Sequence, residues 1–538
     1  MTKFKFVSLS ILTLSLAVAA CSQQVYFNAY EYDHKYDNLE TKELEGIYSK
    51  HTYYDYGVKS LYSYYGYDTA YSPSIGNAKY LVIPVWFTDS TNYIDIDYRN
   101  NIKDDIETAY FGSEEETGWE SVKTYYEKDS FGRLSVDGFV TDWYECGKST
   151  SSFRSSNSSY NTIKLVVDAT DWAKEKYGNL SEYDCNSDGY IDGVILIYAA
   201  LEQVGAYYTG ETGDNGNLWA YTSYLMDPSL KDINNPGPNT FFWASYDFMY
   251  GREMAKSRTN KSSWGYGDTK YCEIDSHTFI HEAGHLFGLP DFYDYGENGE
   301  SPALGFSMQD HNVGAHDPFS RFSLGWAKAI VPKETTKITL KPIEESGEFI
   351  ILSSNFSGTA FDEYIAIELY TPTGLNAFDT ANAYQDGGLI GPNKAGVRLW
   401  HIDSRLFNVT KFNTLTGEVK AGEIITEFPA KSRLMPATSN SSGSRAVDYG
   451  GSDKYRQLKV IRRDYFRKPS EDGDVIPSVR NPVLSEDDLF VTGDYFTTEQ
   501  YRSQFVNRTK LNNEKELGWA IYFDEVNENS LTVTCIKR

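Results

Sequence analysis

The run His281-Glu282-Ala283-Gly284-His285-Leu286-Phe287-Gly288-Leu289-Pro290-Asp291 leaves little freedom to the part of the chain that contains it. Asp275 or Ser276 can cap a helix through Phe279, Ile280 and Leu286, on which His281 and His285 stand one turn apart on the same face. Two imidazoles so placed can chelate one zinc ion, and Glu282 can reach a zinc-bound water without itself ligating the metal. Gly288 ends the helix, and Leu289-Pro290 sends the chain in a new direction toward Asp291. Glycine accepts the positive φ of a sharp return turn at little cost, which makes Asp291 the expected third ligand. Asp294, His311 and Glu273 compete for that place, while His277, one turn ahead of His281, would sooner displace a ligand than complete the set. The plainer alternative is a helix with two core histidines and no metal.

A second acidic run, Asp184-Cys185-Asn186-Ser187-Asp188-Gly189-Tyr190-Ile191-Asp192, reads DxNxDGxxD. Oxygen atoms of Asp184, Asn186, Asp188 and Asp192, with the carbonyl of Tyr190, are spaced to converge on a hard cation, and calcium is the natural choice. Gly189 supplies the turn. Position 12 of an EF-hand loop should be Glu and is here Ile195, so binding would be weaker or would draw ligands from elsewhere. The alternative is an Asx-rich turn without metal.

The amino terminus specifies a destination. Lys3 and Lys5 precede a mostly apolar run from Phe6 to Ala20, then Val18-Ala19-Ala20-Cys21 closes it, the pattern of a secretory signal ending in a lipoprotein box. Cleavage before Cys21 and acylation of that residue would hold the chain on a bacterial cell membrane or outer membrane, outside the cytoplasm. Between Tyr26 and Tyr71 lie 13 tyrosines without sustained periodicity, which reads as a tether or loosely packed leader. The expected organisation is a signal peptide over 1–20, this leader over 21–76, a catalytic domain over 77–332 and a β-rich region over 333–538. Lys and Arg number 50 against 76 Asp and Glu, a formal charge of -26, which argues against nucleic-acid binding. Five cysteines, one of them Cys21, make a poor disulfide framework for 538 residues.

Leu81 to Phe87 and Gly193 to Tyr198 are short continuous apolar runs, the pattern of strands buried on both faces. Helical stretches through Ile106 to Tyr110 and Ser121 to Tyr126 lie between them, followed past Gly132 by alternating Leu134, Val136, Phe139 and Val140. Beyond Pro332 the pattern becomes short strands, such as Ile338-Thr339-Leu340, Tyr364 to Ile367 and Val397 to Trp400, and reads as a β-sandwich.

HExxHxxGxxD followed by Met308 in Gly305-Phe306-Ser307-Met308 resembles the metzincin clan of zinc peptidases with its Met-turn, and the surrounding sequence is similar to the immune inhibitor A family. Phe279 to Asp294, Pro318 to Trp326, Tyr125 to Leu134, the strand ending Trp86-Phe87-Thr88-Asp89, Asp362 to Glu368 and Gly396 to Asp403 carry the likeness. It implies an α+β fold, a metzincin-like peptidase domain followed by the β-rich region. It also implies a zinc-dependent endopeptidase acting on proteins or peptides, with His281, His285 and Asp291 on zinc, Glu282 as base, Met308 packed beneath the site and Gly288 turning the chain. The tyrosine that metzincins often carry after the Met-turn is missing, since Gln309, Asp310 and His311 follow Met308; His311 is one candidate for its role. Two other readings are a zinc hydrolase of a non-peptide substrate and a lipid-anchored adhesin or carbohydrate-binding protein with a vestigial site.

Overall fold

The computed structural model describes residues 35–56, 70–153, 158–202, 218–225, 227–261, 272–294, 301–384, 389–412, 419–424, 434–440, 455–463 and 484–538. The signal segment 1–20 and Cys21 lie outside the described residues.

The apolar run at 81–87 falls, but for Phe87, in β1 (Gly76–Trp86), an interior strand of the first sheet. β2 (Leu134–Val140) and the short β3 (Tyr144–Glu145) pair with it in parallel on one side, and β4 (Gly193–Tyr198) does so on the other. The edge beyond β4 is formed by two more strands, β5 (Tyr221–Tyr224) and β6 (Thr240–Ser245). β6 is parallel to β4, and β5 closes the edge antiparallel to β6. Both faces of β1 are covered, which is why its sequence shows no alternation. Tyr80 and Val82 join one core with residues of α1 (Arg99–Phe111) and α2 (Val122–Asp129). Leu81, Ile83 and Val85 join another with Leu165, Val166, Ala169 and Ala173 of α3 (Ser158–Tyr177).

α4 (His277–Leu286) packs on β5 and β6, Phe279 meeting Phe242 of β6, with Ile280, Ala283 and Leu286 buried as well. A short α5 (Met308–His311) and α6 (Pro318–Ser323) follow, the latter capped by Asp317, whose carboxylate accepts the Ser320 amide.

The described residues of the β-rich half form three sheets. The first has the order β15 (Leu458–Ile461), β11 (Gly396–Asp403), β10 (Glu363–Tyr370), β9 (Glu348–Leu352), β7 (Lys328–Ile330). Another runs β16 (Tyr495–Phe496), β17 (Trp519–Val526), β18 (Leu531–Lys537), β8 (Thr336–Leu340). A small sheet joins β12 (Leu406–Phe412) to β13 (Val419–Ile424) and β14 (Leu434–Pro436). β10 is buried along its whole length, with its residues divided by parity. Ile365, Ile367 and Leu369 meet Ile338, Ile521 and Val533 of the neighbouring sheet in one core. Tyr364, Ala366 and Tyr370 face the other way, into the core that also holds Phe279, Ala283 and Met308. The β10 sheet is therefore a middle layer, with α4 and its neighbours on one face and the β17 sheet on the other.

The segment expected to be a tether is, in its described part, packed onto this framework. Tyr53 is 1% exposed and meets Phe319 and Phe361 edge-on. Its hydroxyl accepts a bond from the Gln457 amide at 3.2 Å. Backbone bonds tie Lys42 to Lys337 and Ile47 to Ala329, and Tyr71 is buried against Gly288. Of the described tyrosines there, Tyr53 and Tyr71 are buried while Tyr48 and Tyr54 stay exposed, so the burial is local and follows no helix or strand period. Among the described residues, no disulfide joins Cys146, Cys185, Cys272 and Cys535. No helix among the described residues is long and apolar enough to cross a membrane.

Candidate metal centre

α4 begins where expected. The Asp275 carboxylate accepts the His277 amide at 3.0 Å, while the Ser276 hydroxyl instead donates to Ala109. The helix is short, and Gly284 fits within it because the Gln309 side chain lies where a methyl group would be, 2.1 Å from that position. It stops at Leu286, and Gly288, with φ +98°, turns the chain back, as required of the residue at that place.

The turn brings Asp291 to the two histidines. Nε2 of His281 lies 3.0 Å and Nε2 of His285 3.3 Å from the same Asp291 carboxylate oxygen. One ligand atom from each of the three residues lies within 4.8 Å of the others, and no other cluster of three or more His, Cys, Asp or Glu among the described residues does so. The rings are held from behind. His281 Nδ1 donates to the Met308 carbonyl at 2.7 Å and His285 Nδ1 to the Leu289 carbonyl at 2.6 Å. A carbonyl only accepts, so these bonds put the proton on Nδ1 and turn each Nε2 toward Asp291, the arrangement metal-ligating histidines require. The donor set of two imidazoles and one carboxylate therefore fits zinc with a position left over. Met308 is fully buried, and its carbonyl, not its sulfur, serves the site.

Charge is concentrated here. Burial alone would raise the Asp291 carboxyl, but His285 and His281 hold it well below the ordinary carboxylate range. Burial opposes charge on His285, yet Asp291 carries its imidazole up to about 9. Burial pushes the Glu282 carboxyl up, countered by His285 and His281. Glu282 thus stands within electrostatic reach of all three candidate ligands, 8% exposed, with its carbonyl bonded to the Thr222 hydroxyl of β5 at 2.9 Å.

The competing ligands are accounted for. Asp294 is paired with Arg456 at 2.7 Å, and Glu273 is exposed. His277 is buried between Asp275 at 2.8 Å and Asp379 at 3.1 Å and stacks on Trp119. Burial opposes its protonation, but the two carboxylates raise it to about 10. His311 pairs with Asp310, its ring 5.9 Å from that of Tyr293, and the Tyr293 ring lies 6.4 Å from that of His281. Tyr293, Thr222 and Gln309 border the centre without having been expected there. Gln309, next to the Met-turn, and Tyr293, inside the stretch that carries the family likeness, had a signal in the sequence, and Thr222 had none.

The 184–192 run forms a different kind of loop. Asp184 accepts the amides of Asp188 at 2.9 Å and Gly189 at 2.8 Å; Asn186 accepts Asp188 at 3.0 Å, and Asp188 accepts Tyr190 at 2.9 Å. Asp192 takes the amides of Cys185 at 3.1 Å and Lys79 at 2.9 Å, fastening the loop to β1. Gly189 turns with φ +88°. Burial, and then Asp184 nearby, raise the Asp192 carboxyl to about 7 against the pull of those amides.

Residues 68–309 match the family model of the immune inhibitor A peptidase M6 catalytic domain. Immune inhibitor A of Bacillus thuringiensis subsp. alesti is 25% identical over 260 residues, covering 42% of this chain and 34% of that protein. The pre-pro-metalloprotease PrtV of Vibrio cholerae serotype O1 (strain M66-2) is 25% identical over 193 residues, 32% of this chain and 19% of that protein. The chain thus matches about a third or less of the length of these relatives.

Proposed function

We propose, from the premise that residues 68–309 are a metallopeptidase catalytic domain of the immune inhibitor A family, that this chain is a zinc-dependent endopeptidase of protein or peptide substrates. The observation that carries this is the convergence of His281 Nε2, His285 Nε2 and an Asp291 oxygen, with both rings fixed through Nδ1. Those three side chains would hold the metal. Bound there, zinc supplies a Lewis acid to the scissile carbonyl and eases deprotonation of the attacking water. Glu282 takes that proton on its carboxylate and delivers it to the leaving amine. The Met308 and Leu289 carbonyls keep the imidazoles aimed, and Asp291 makes the site one charge less positive than a third imidazole would.

The same reading has three further parts. Lys3, Lys5, the apolar run to Ala20 and Cys21 support export and a lipid anchor on Cys21, so that the peptidase works outside the cytoplasm. Calcium at Asp184, Asn186, Asp188, Tyr190 and Asp192 would be structural, compensating the charge of carboxylates already bonded to the backbone. The β10 and β17 sheets, whose inward side chains share one core, are read as the layers of a sandwich.

The test is metal dependence on an unfolded substrate. Casein cleavage should vanish on stripping with a chelator and return with stoichiometric zinc; cleavage that persists at a zinc content of zero would contradict the proposal.

A further inference from the structure

The loop that delivers Asp291 is held by the β-rich half. Phe292, the next residue, has its peptide gripped on both sides: its amide donates to the Gln309 carbonyl at 2.8 Å, and its carbonyl accepts from the Asn440 side-chain amide at 2.9 Å. Asn440 is fully buried and cannot turn freely, because its Oδ1 accepts the Leu458 amide at 3.1 Å. Arg456 braces the pair. One guanidinium nitrogen donates to the Asn440 carbonyl and another to the Asp294 carboxylate, each at 2.7 Å. The next residue, Gln457, bonds Tyr53 of the N-terminal segment.

We propose that Asn440 and Arg456 are positioning residues for the metal centre, fixing the Phe292 to Asp294 loop so that the Asp291 carboxylate meets the two imidazoles. The physical reason is that α4 fixes only two ligands. His281 and His285 are set by the helix, whereas Asp291 lies beyond a glycine turn, in a loop without regular structure, and a loop ligand loses affinity when its backbone is free to wander. Arg456 suits the task because its planar fork bonds two acceptors at a fixed angle, which a lysine cannot do. The catalytic unit therefore extends beyond the first sheet and includes the approach to β15.

This inference rests on the metal reading above, and the test separates the two. Zinc affinity is measured on the full chain by competition with a chromophoric chelator, for wild type, Asn440→Ala, Arg456→Ala and Arg456→Lys, alongside thermal unfolding of each stripped protein. The expected result is a loss of affinity of about 10- to 100-fold in the alanine variants and a smaller loss in Arg456→Lys, which keeps the positive charge on a single donor nitrogen and guards against a variant that does not fold. Cobalt-loaded variants should also show a shifted visible spectrum, which general weakening of the fold would not produce. Wild-type affinity and spectrum in folded variants would overturn the positioning role while leaving the metal site intact. A wild type that binds no zinc stoichiometrically would overturn the metal reading, and this role with it.

Discussion

Two segments invite the label of a metal site, and their hydrogen bonding differs: the end of α4 with its turn to Asp291, and the 184–192 loop. In the 281–291 segment the backbone satisfies the back of each imidazole, so Nε2 and the Asp291 carboxylate are turned on one another. In the 184–192 loop the backbone amides occupy the carboxylates themselves. A ligand group is thus marked by what its other atoms are bonded to, more than by residue type and spacing.

The sharpest way to break that contrast is to remove one carboxylate from each loop. Asp291→Ala should lower zinc affinity and casein hydrolysis by more than about 100-fold, beyond the loss typical of an outer hydrogen-bonding partner. Asp188→Ala should leave kcat/KM within about threefold, since it lies outside the centre. Comparable losses in both would erase the distinction.

The start of α4 offers a stability test. His277 in the folded chain titrates near 10, above the ~6.5 of an unfolded histidine. Its bonds to Asp275 and Asp379 thus stabilise the fold fully below about pH 6.5, and that contribution fades as pH rises through 10. His277→Gln should cost about 3 kcal/mol at pH 6, with the gap to wild type narrowing toward pH 10. A gap that does not change with pH would show that the histidine is neutral.

Asp192→Ala should destabilise by about 2 kcal/mol, because the amides of Cys185 and Lys79 lose their acceptor. The smallest effect expected is a rise in the unfolding midpoint with millimolar calcium, abolished by the same substitution. Calcium without effect on wild type would leave 184–192 as a purely backbone-bonded turn.

What could be read from the chain was local. His281 and His285 are one turn apart, Gly288 announces the turn, and the apolar runs at 81–87 and 193–198 lie, but for Phe87, in β1 and β4, because these depend on neighbours within a few residues. What could not be read depends on distant partners. Gln457 and Tyr53 are 404 residues apart, and Arg456 and Asp294 are 162 apart, with no local pattern to join them. The β-rich half was recognisable as strands. That β10 buries both faces, one of them against the core that holds α4, was not, because Glu363 and Glu368 interrupt its apolar run, one on each face, and are buried by His401 and Arg398 of β11.

The central claim is that Glu282 acts as base beside a metal held by His281, His285 and Asp291. It is tested most directly by casein cleavage with wild type and Glu282→Gln at equal zinc content. The account predicts a fall in kcat of about 10²- to 10⁴-fold with zinc retained. Equal activity in the two proteins would contradict it.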